Sequence, residues 1–262
     1  MTLALFPWPA GWSRQQRSSA TILVAIGVLC LLLWLLALPL GQVTEPIGNN
    51  AQHFAEGARV TVQLTILSGI AGVLLGVMAA LGKVSRIAPL RWLAGGYVWV
   101  IRGTPLLVQV LFVYFALPVL APALQLSDFS SACVALALNA GAYNAEAIRA
   151  GLLAVPQGQM EAARSLGLGR WHTFIDVTFP QAFKVALPPL VNNVVALLKD
   201  SSLAYAIGVV ELTNIGNRVQ SATFQPLPVL ATTATIYLVL TTVLTQISTA
   251  VERRFDIEGK MP

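Results

Sequence analysis

The sequence predicts an all-α membrane protein with about six transmembrane helices. Of its 262 residues, 56% are hydrophobic and only 10% are charged, whereas about 25% of residues are charged in an ordinary soluble domain. A soluble chain of this composition could not cover its apolar surface, so we interpret the long apolar stretches as helices that cross a bilayer. One such stretch alone could be a buried helix of a soluble core, but six together favour a membrane protein.

Six stretches approach the length of about 20 residues that a helix needs to span a bilayer. Five are nearly free of charge, and the other one is interrupted by Lys199 and Asp200. The fourth is short but becomes long enough when it is extended to Arg149. In chain order, the six stretches are residues 18–40, 60–82, 103–127, 129–145, 185–210 and 219–251.

The first stretch could also be a secretory signal peptide, because Arg14 and Arg17 precede it. Its apolar run is longer than the roughly 7–15 residues of a signal peptide, and no small-x-small cleavage site follows. We therefore expect a retained helix. The second stretch carries small residues at helical intervals, among them Gly72 and Gly76, which predict a face that packs closely on a neighbouring helix.

Prolines divide the remaining stretches. Thr104 and Pro105 resemble the start of a new helix, so the third span is either one kinked helix or an interfacial helix followed by a span. In the fourth, Glu146 and Arg149 are spaced to share a helix face. We expect the fifth span to begin near Pro188 and Pro189, and the sixth to begin after residue 228.

Basic residues predict the orientation, because they gather on the cytoplasmic side of a membrane. With the N-terminus inside, the opposite loops hold only Arg59 and Arg218. The net charge of +5 therefore reflects topology and not a nucleic-acid surface. Cys30 and Cys133 fall within predicted spans and suggest neither a disulfide framework nor a metal site. The residues on the inner side are Arg14, Arg17, Lys83, Arg86, Arg91, Arg164, Arg170, Lys184, Arg253, Arg254 and Lys260.

A polar segment between the fourth and fifth spans is the most informative part of the chain. Glu161-Ala162-Ala163 is followed by Gly167 and then by Phe179-Pro180. Glycines and prolines predict a short helix, a turn and a second short helix, with Pro180 at the end. This pattern resembles the EAA loop of bacterial ABC importer permeases. The resemblance implies that Glu161, Ala162, Ala163, Ser165, Leu166 and Gly167 couple the chain to a separate ATPase.

The resemblance extends over about residues 56–255. Residues 101–109, 145–151, 198–203 and 211–212 are similar to stretches of the polar amino-acid branch of these permeases. It implies a type I importer permease fold, with a five-helix core and an additional N-terminal span. We accordingly divide the chain into a tail, first span and external loop at 1–56, a permease domain at 57–255 with its EAA loop at about 155–183, and a tail at 256–262.

The sequence lacks a phosphate-binding loop of the form G-x-x-x-x-G-K-[ST]. Lys83 follows a glycine but precedes Val84, and Lys260 precedes Met261. We therefore expect no cofactor on this chain, with MgATP bound by a partner, and no catalytic or metal-binding residues. The resemblance implies two ATP-binding subunits, a second copy or a related permease, and an external solute-binding protein.

Polar residues within the predicted spans are candidates for the substrate path. Lys199 and Asp200 would be costly to place in lipid, and adjacent helical residues point about 100° apart, so they cannot pair unless the helix breaks near Ser201. They could contact the substrate or lock helices together through other partners. The remaining path candidates are polar, and for Asn139, Asn192 and Gln109 interhelical hydrogen bonding is an alternative of at least equal weight. Those candidates are Ser201, Asn139, Asn192 and Gln109, while Arg102, Glu146 and Arg149 are expected to act in gating, in structure or as interfacial anchors.

These observations predict a permease subunit of an ATP-driven ABC importer for polar amino acids. We place it as a multi-pass protein of the bacterial inner membrane with both termini in the cytoplasm. The main alternative is a secondary transporter driven by an ion gradient, in which Asp200 could carry a proton. A membrane enzyme is a third alternative, against which the lack of a catalytic motif argues.

Overall fold

The computed structural model describes residues 11–255, and within that range the chain forms helices and no strand. This confirms the all-α prediction. The tail predicted at 256–262 and the first ten residues lie outside the described range. The principal helices are α1 Arg14–Leu35, α2 Ala51–Val84, α3 Ala88–Gly103, α4 Leu106–Leu120, α5 Asp128–Leu153, α6 Gln157–Ser165, α7 Phe179–Asp200, α8 Leu212–Thr223 and α9 Pro226–Arg254.

Side-chain caps fix the starts of two of the long helices. Ser13 and Gln16 form a reciprocal capping box at α1, in which the Gln16 N–H donates to Ser13 Oγ at 3.2 Å. The Ser127 hydroxyl accepts the Ser130 N–H at 3.2 Å at the start of α5. Such caps pair the N–H groups that the first turn of a helix leaves without intrahelical partners.

Helices α2, α5 and α7 form the centre of the bundle, and α1 packs mainly on α9. A Cβ atom added to Gly76 would lie 2.6 Å from the Cβ of Asn144, and one added to Gly72 would lie 2.8 Å from the Cβ of Ala140. Both partners belong to α5, so the glycines let the two backbones approach closely. The packing face predicted for the second span is confirmed.

The two ends of the bundle differ in charge. One end carries Lys83, Arg164, Arg170 and Arg253, and we call it the basic end. The other carries the start of α2 and the short helix α8, and we call it the opposite end. Each long helix connects the two ends, so the predicted separation of basic residues to one side is reproduced by the fold.

Within residues 11–255, four helical segments are long and apolar enough to cross a membrane, and a bent pair makes a fifth. Six was our expectation, and the missing one is α5. Its 26 residues are long enough, but Asn139, Asn144 and Glu146 reduce its apolar character. Helix α5 packs between α2 and α7, so its polar side chains meet protein where those of a lipid-facing helix would meet lipid.

The third span is broken. Helices α3 and α4 meet at Thr104 and Pro105 with a bend of 111°, which confirms the predicted helix restart and is sharper than a kink within one helix. The Nε2 atom of Gln109 lies 2.7 Å from the Ile101 carbonyl oxygen and 3.0 Å from the Thr104 carbonyl oxygen. The side chain of Gln109 therefore pairs backbone groups that the break releases, as non-helical backbone in a membrane requires.

Replacing Gln109 with Leu should destabilise the folded chain by about 1–3 kcal/mol, because carbonyl groups at the break lose their donor. The thermal unfolding midpoint in detergent measures this. Gln125→Leu, in an exposed loop at the opposite end, is the matched control. An equal effect of both substitutions would show that Gln109 does not hold the break.

Two of our predicted boundaries at the fifth span are wrong. Pro180 is the second residue of α7 and does not end the preceding segment, and Pro188 and Pro189 lie inside the helix. Proline lacks the N–H that continues the hydrogen-bond pattern of a helix, and Pro180 lies at the junction between the π-helical stretch Thr173–Thr178 and α7. The second helix of the loop, formed by Arg170–His172 and the π-helical stretch Thr173–Thr178, therefore runs directly into α7.

Candidate functional site: an exposed loop and a polar helix face

The EAA-like segment forms a helix, a turn and a second helix at the basic end. Helix α6 begins after Pro156 and ends at Ser165. Gly167 follows with a φ of 85°, a left-handed conformation that favours glycine. Its N–H donates to the Arg164 carbonyl at 2.9 Å, and the Leu168 N–H donates to the Ala163 carbonyl at 3.1 Å. These two bonds close the helix and reverse the chain.

The loop presents apolar side chains to solvent. Leu166 is 83% exposed and Trp171 is 68% exposed. Of the six predicted coupling residues, Ala163 is buried and anchors α6 to the bundle, while the other five are exposed. Apolar side chains that stand out from a polar loop are typical of a surface that another protein covers.

Aromatic rings connect this loop to α7 and to the end of α9 at the basic end. Trp171 stacks near Phe174, and Phe174 lies 6.3 Å from Phe179 between ring centroids. Phe179 is 5.9 Å from Phe183, which is 5.1 Å from Phe255 at the end of α9. Our sequence reasoning missed this row of aromatic rings, although the spacing of Phe179 and Phe183 by four residues indicates one helix face.

A cluster of charges lies at the basic end of α2 and α5. The Lys83 ammonium contacts Glu146 Oε1, and Arg149 donates from Nη2 to Glu146 Oε2 at 2.8 Å. Glu146 and Arg149 therefore share a helix face, as their spacing predicted. The cluster joins α2 to α5 and gives the charged side chains partners where the helices leave the bundle.

The polar face of α7 is the second candidate region. Asn192 and Lys199 are both exposed and, seven residues apart, lie on the same side of the helix. Lys199 and Asp200 form no ion pair within 4.0 Å with any described residue. The α-helix ends at Asp200 and continues as the 3₁₀ helix Ser201–Ile207, which agrees with the predicted break.

Other path candidates are engaged in contacts within the bundle. Gln109 accepts a hydrogen bond from Asn139 at 3.1 Å in addition to pairing the backbone at the break. The Ser201 hydroxyl is buried and donates to the Leu198 carbonyl at 2.7 Å. Arg102, which was predicted to act in gating, in structure or as an anchor, has its guanidinium 5.1 Å from the centre of the Tyr143 ring. Among the path candidates, Asn192 and Lys199 are thus the two whose side chains are exposed in this chain.

Comparison with known proteins decides the family. Residues 72–257 match the family described as "Binding-protein-dependent transport system inner membrane component". The chain belongs to this permease family. The match excludes α1, which is the part of the permease about which the family says least.

Relatives and a solved structure agree with this assignment. The permease is 41% identical over 201 residues to the L-cystine transport system permease protein TcyB of Bacillus subtilis (strain 168), covering 76% of this chain and 85% of TcyB. It is 38% identical over 202 residues to the glutamine transport system permease protein GlnP of Escherichia coli (strain K12), covering 77% and 92%. A crystal structure of an amino acid ABC transporter with histidines matches with a TM-score of 0.73 at 40% identity, covering 79% and 95%. The predicted resemblance and fold class are confirmed.

Sequence reasoning assigned no role to Glu211, which the permease buries completely. Its carboxylate accepts the N–H groups of Thr213 and Asn214, both at 2.8 Å, and so caps α8. The Tyr237 hydroxyl of α9 donates to Oε2 at 2.9 Å, and the Thr61 hydroxyl of α2 lies 3.4 Å from the same oxygen. One side chain therefore joins α2, α8 and α9 at the opposite end.

Proposed function

We propose that this permease is the membrane subunit of an ATP-driven importer of polar amino acids. We further propose that the EAA-like segment at about residues 155–183, called the α6 loop from here on, docks on a separate ATPase. The exposed loop carries the proposal, because it presents Leu166 and Trp171 to solvent beside the charged Glu161. The names of its relatives, which are permeases for L-cystine and glutamine, support the substrate class. MgATP would be held by the ATPase, and the permease itself would bind no cofactor.

The proposed orientation places the basic end, the α6 loop and both termini in the cytoplasm. The distribution of Lys and Arg supports it, because basic residues are retained on that side during insertion. Helix α8 and the loop before α2 then face outward, where a solute-binding protein would dock. Two ATPase subunits would bind the loops of two permease subunits.

The helical connection from the loop into α7 could transmit the movement of the ATPase to the membrane helices. The segment from Arg170 is helical as far as Ile207, with a π-helical stretch at Thr173–Thr178 and the 3₁₀ stretch at Ser201–Ile207. Closure of the ATPase pair would displace the loop and, with it, α7. The ring contact between Phe183 and Phe255 would carry part of that displacement to α9. A rigid helix that moves as one body is a suitable relay, since packed elements shift between discrete arrangements.

The polar face of α7 is the part of the proposed path that this subunit contributes. Asn192 and Lys199 cannot face lipid without a large cost in free energy. A water-filled cavity between two permease subunits would solvate both side chains. The Lys199 ammonium would there attract the α-carboxylate of an amino acid.

Transport assays in proteoliposomes test the proposed function. Vesicles that contain the permease with its co-purified ATPase and binding protein should accumulate glutamine or cystine only when MgATP reaches the ATPase. The same vesicles without ATP, but with a proton gradient, should accumulate neither. Uptake driven by the gradient in vesicles that lack the ATPase would instead establish the secondary transporter.

Substituting Lys199 with Gln should reduce the initial rate of uptake about tenfold or more, because a charge-assisted contact to the carboxylate is lost. Lys184→Gln removes the same charge from the exposed basic end of α7 and should leave uptake near the wild-type rate. Both variants should still co-purify with the ATPase. Equal uptake by the two variants would exclude Lys199 from the path.

A further inference from the structure

An apolar groove of about 440 Å³ opens between α1, α2, α7 and α9. Its lining includes Gly69 of α2, Leu198 of α7, Leu29 of α1 and Leu244 of α9. Among the described lining residues, Thr65 alone carries a polar side chain, and its hydroxyl donates to the Thr61 carbonyl at 2.8 Å. The groove therefore presents hydrocarbon surface to its occupant.

The groove faces away from the proposed substrate path. On α7 it is lined by Val194 and Leu198, whereas Asn192 and Lys199 lie on the polar face. At about 100° per residue, the mean directions of the two pairs are separated by about 130° around the helix. The groove consequently opens toward the bilayer, and an amino acid in transit would not meet it.

The depth of the groove corresponds to the middle of the membrane. Leu244 lies ten residues before Arg254 on α9, which is a rise of about 15 Å along the helix. The hydrocarbon core of a bilayer is about 30 Å thick, so one leaflet contributes roughly 15 Å. A lipid whose headgroup lies at Arg254 can therefore reach the groove with the end of its acyl chain.

Positive charge gathers directly below the groove, at the basic end of α1 and α9. The Nη1 atom of Arg254 lies 2.6 Å from Ser19 Oγ, so the ends of the two helices meet. Arg17 and Arg253 lie in the same terminal turns, together with Glu252. Clusters of arginine at the ends of packed membrane helices attract anionic lipid headgroups.

We propose that the groove and these arginines together bind one anionic phospholipid. Its phosphate lies at the arginines of α1 and α9, and one acyl chain rises between the helices to cover Gly69 and Leu198. Charge complementarity selects the anionic headgroup, and the apolar lining accepts the chain. The lipid fills the space that α1 leaves beside α2, and so fastens α1 to the bundle.

Gly69 permits a selective test. A Cβ atom added there would meet only Leu197 Cδ2, at 3.6 Å, which is an ordinary contact. A leucine at this position therefore projects into the groove and competes with the acyl chain without displacing a neighbouring helix. Gly96→Leu is the matched control, because no atom lies within 4 Å of its added Cβ and α3 does not line the groove.

Native mass spectrometry of the full-length permease, titrated with phosphatidylglycerol or phosphatidylcholine, measures the binding. We expect one phosphatidylglycerol to be retained preferentially, with affinity reduced about fivefold or more by Arg254→Gln. Gly69→Leu should reduce it similarly, and Gly96→Leu should not. Thermal unfolding midpoints show whether each variant is folded, and the arginine variant tests the site even if Gly69→Leu misfolds.

Three results would overturn the proposal. Equal retention of both lipids would show that the groove contacts acyl chains without selecting an anionic headgroup. Unchanged phosphatidylglycerol binding in folded Gly69→Leu would place the lipid elsewhere. A cross-link between groove residues of two permease copies in the bilayer would show that protein covers the groove.

Discussion

Replacing Gly167 with Asp, or Glu161 with Lys, should abolish substrate-stimulated ATP hydrolysis by the assembled importer. Gly167 has a φ of 85° and open space around it, so a side chain does not clash but strains the turn by about 1–2 kcal/mol and adds a charge beside Leu166. Glu161→Lys reverses the charge of the exposed anchor. Stimulated hydrolysis in purified complexes is the measurement.

The permease itself should still insert and fold, because neither side chain contributes to the core of the bundle. Gln15→Lys adds a positive charge at the basic end, on α1 and away from the loop, and should leave hydrolysis unaffected. If both loop variants showed normal stimulation, the α6 loop would not be the coupling element.

Removing the carboxylate of Glu211 should have the largest effect on stability in the chain. In Glu211→Ala, the N–H groups of Thr213 and Asn214 and the Tyr237 hydroxyl lose their acceptor inside the protein. Each unpaired buried group costs about 1–3 kcal/mol, and α8 also loses its cap. We expect a loss of several kcal/mol and a much lower unfolding midpoint in detergent.

Glu56→Ala provides the matched control, because Glu56 is an exposed carboxylate at the same end and bonds only Gln52 among the described residues. Its midpoint should remain close to that of the wild type. Glu211→Gln, which keeps one acceptor oxygen, should fall between the two. If Glu211→Ala had the same unfolding midpoint as Glu56→Ala, the carboxylate would not join the three helices.

Composition and periodicity could predict most of the bundle, because lipid imposes the same length and apolarity on each exposed span. They could not predict the boundary at Pro180, since a proline can either end a helix or occupy its first turn. Helix α5 was predicted from its apolar run, yet its asparagines lower its hydropathy. Only the packing on α2 and α7 explains why a membrane helix carries them.

The candidate sites also include some features that the sequence could predict and others that required the tertiary structure. The Glu-Ala-Ala segment is local in sequence, so its exposure at the basic end could be expected. Gln109 and Asn139 were treated together with Lys199 because all are polar residues within spans. Distinguishing them requires the tertiary structure, which pairs the amides with each other and with the break but leaves Lys199 exposed. Glu211 was noted only as part of the resemblance, and its structural role was missed because its partners on α2 and α9 are far away in sequence.

Site-specific photo-cross-linking at the α6 loop tests the central claim most directly. A photoreactive amino acid at Leu166 should capture an ATP-binding subunit in intact membranes. The same amino acid at Leu227, which is 81% exposed at the opposite end, should capture none. Cross-linking from Leu166 to no ATP-binding protein, or labelling of that position by an impermeant reagent from outside the cell, would contradict the account.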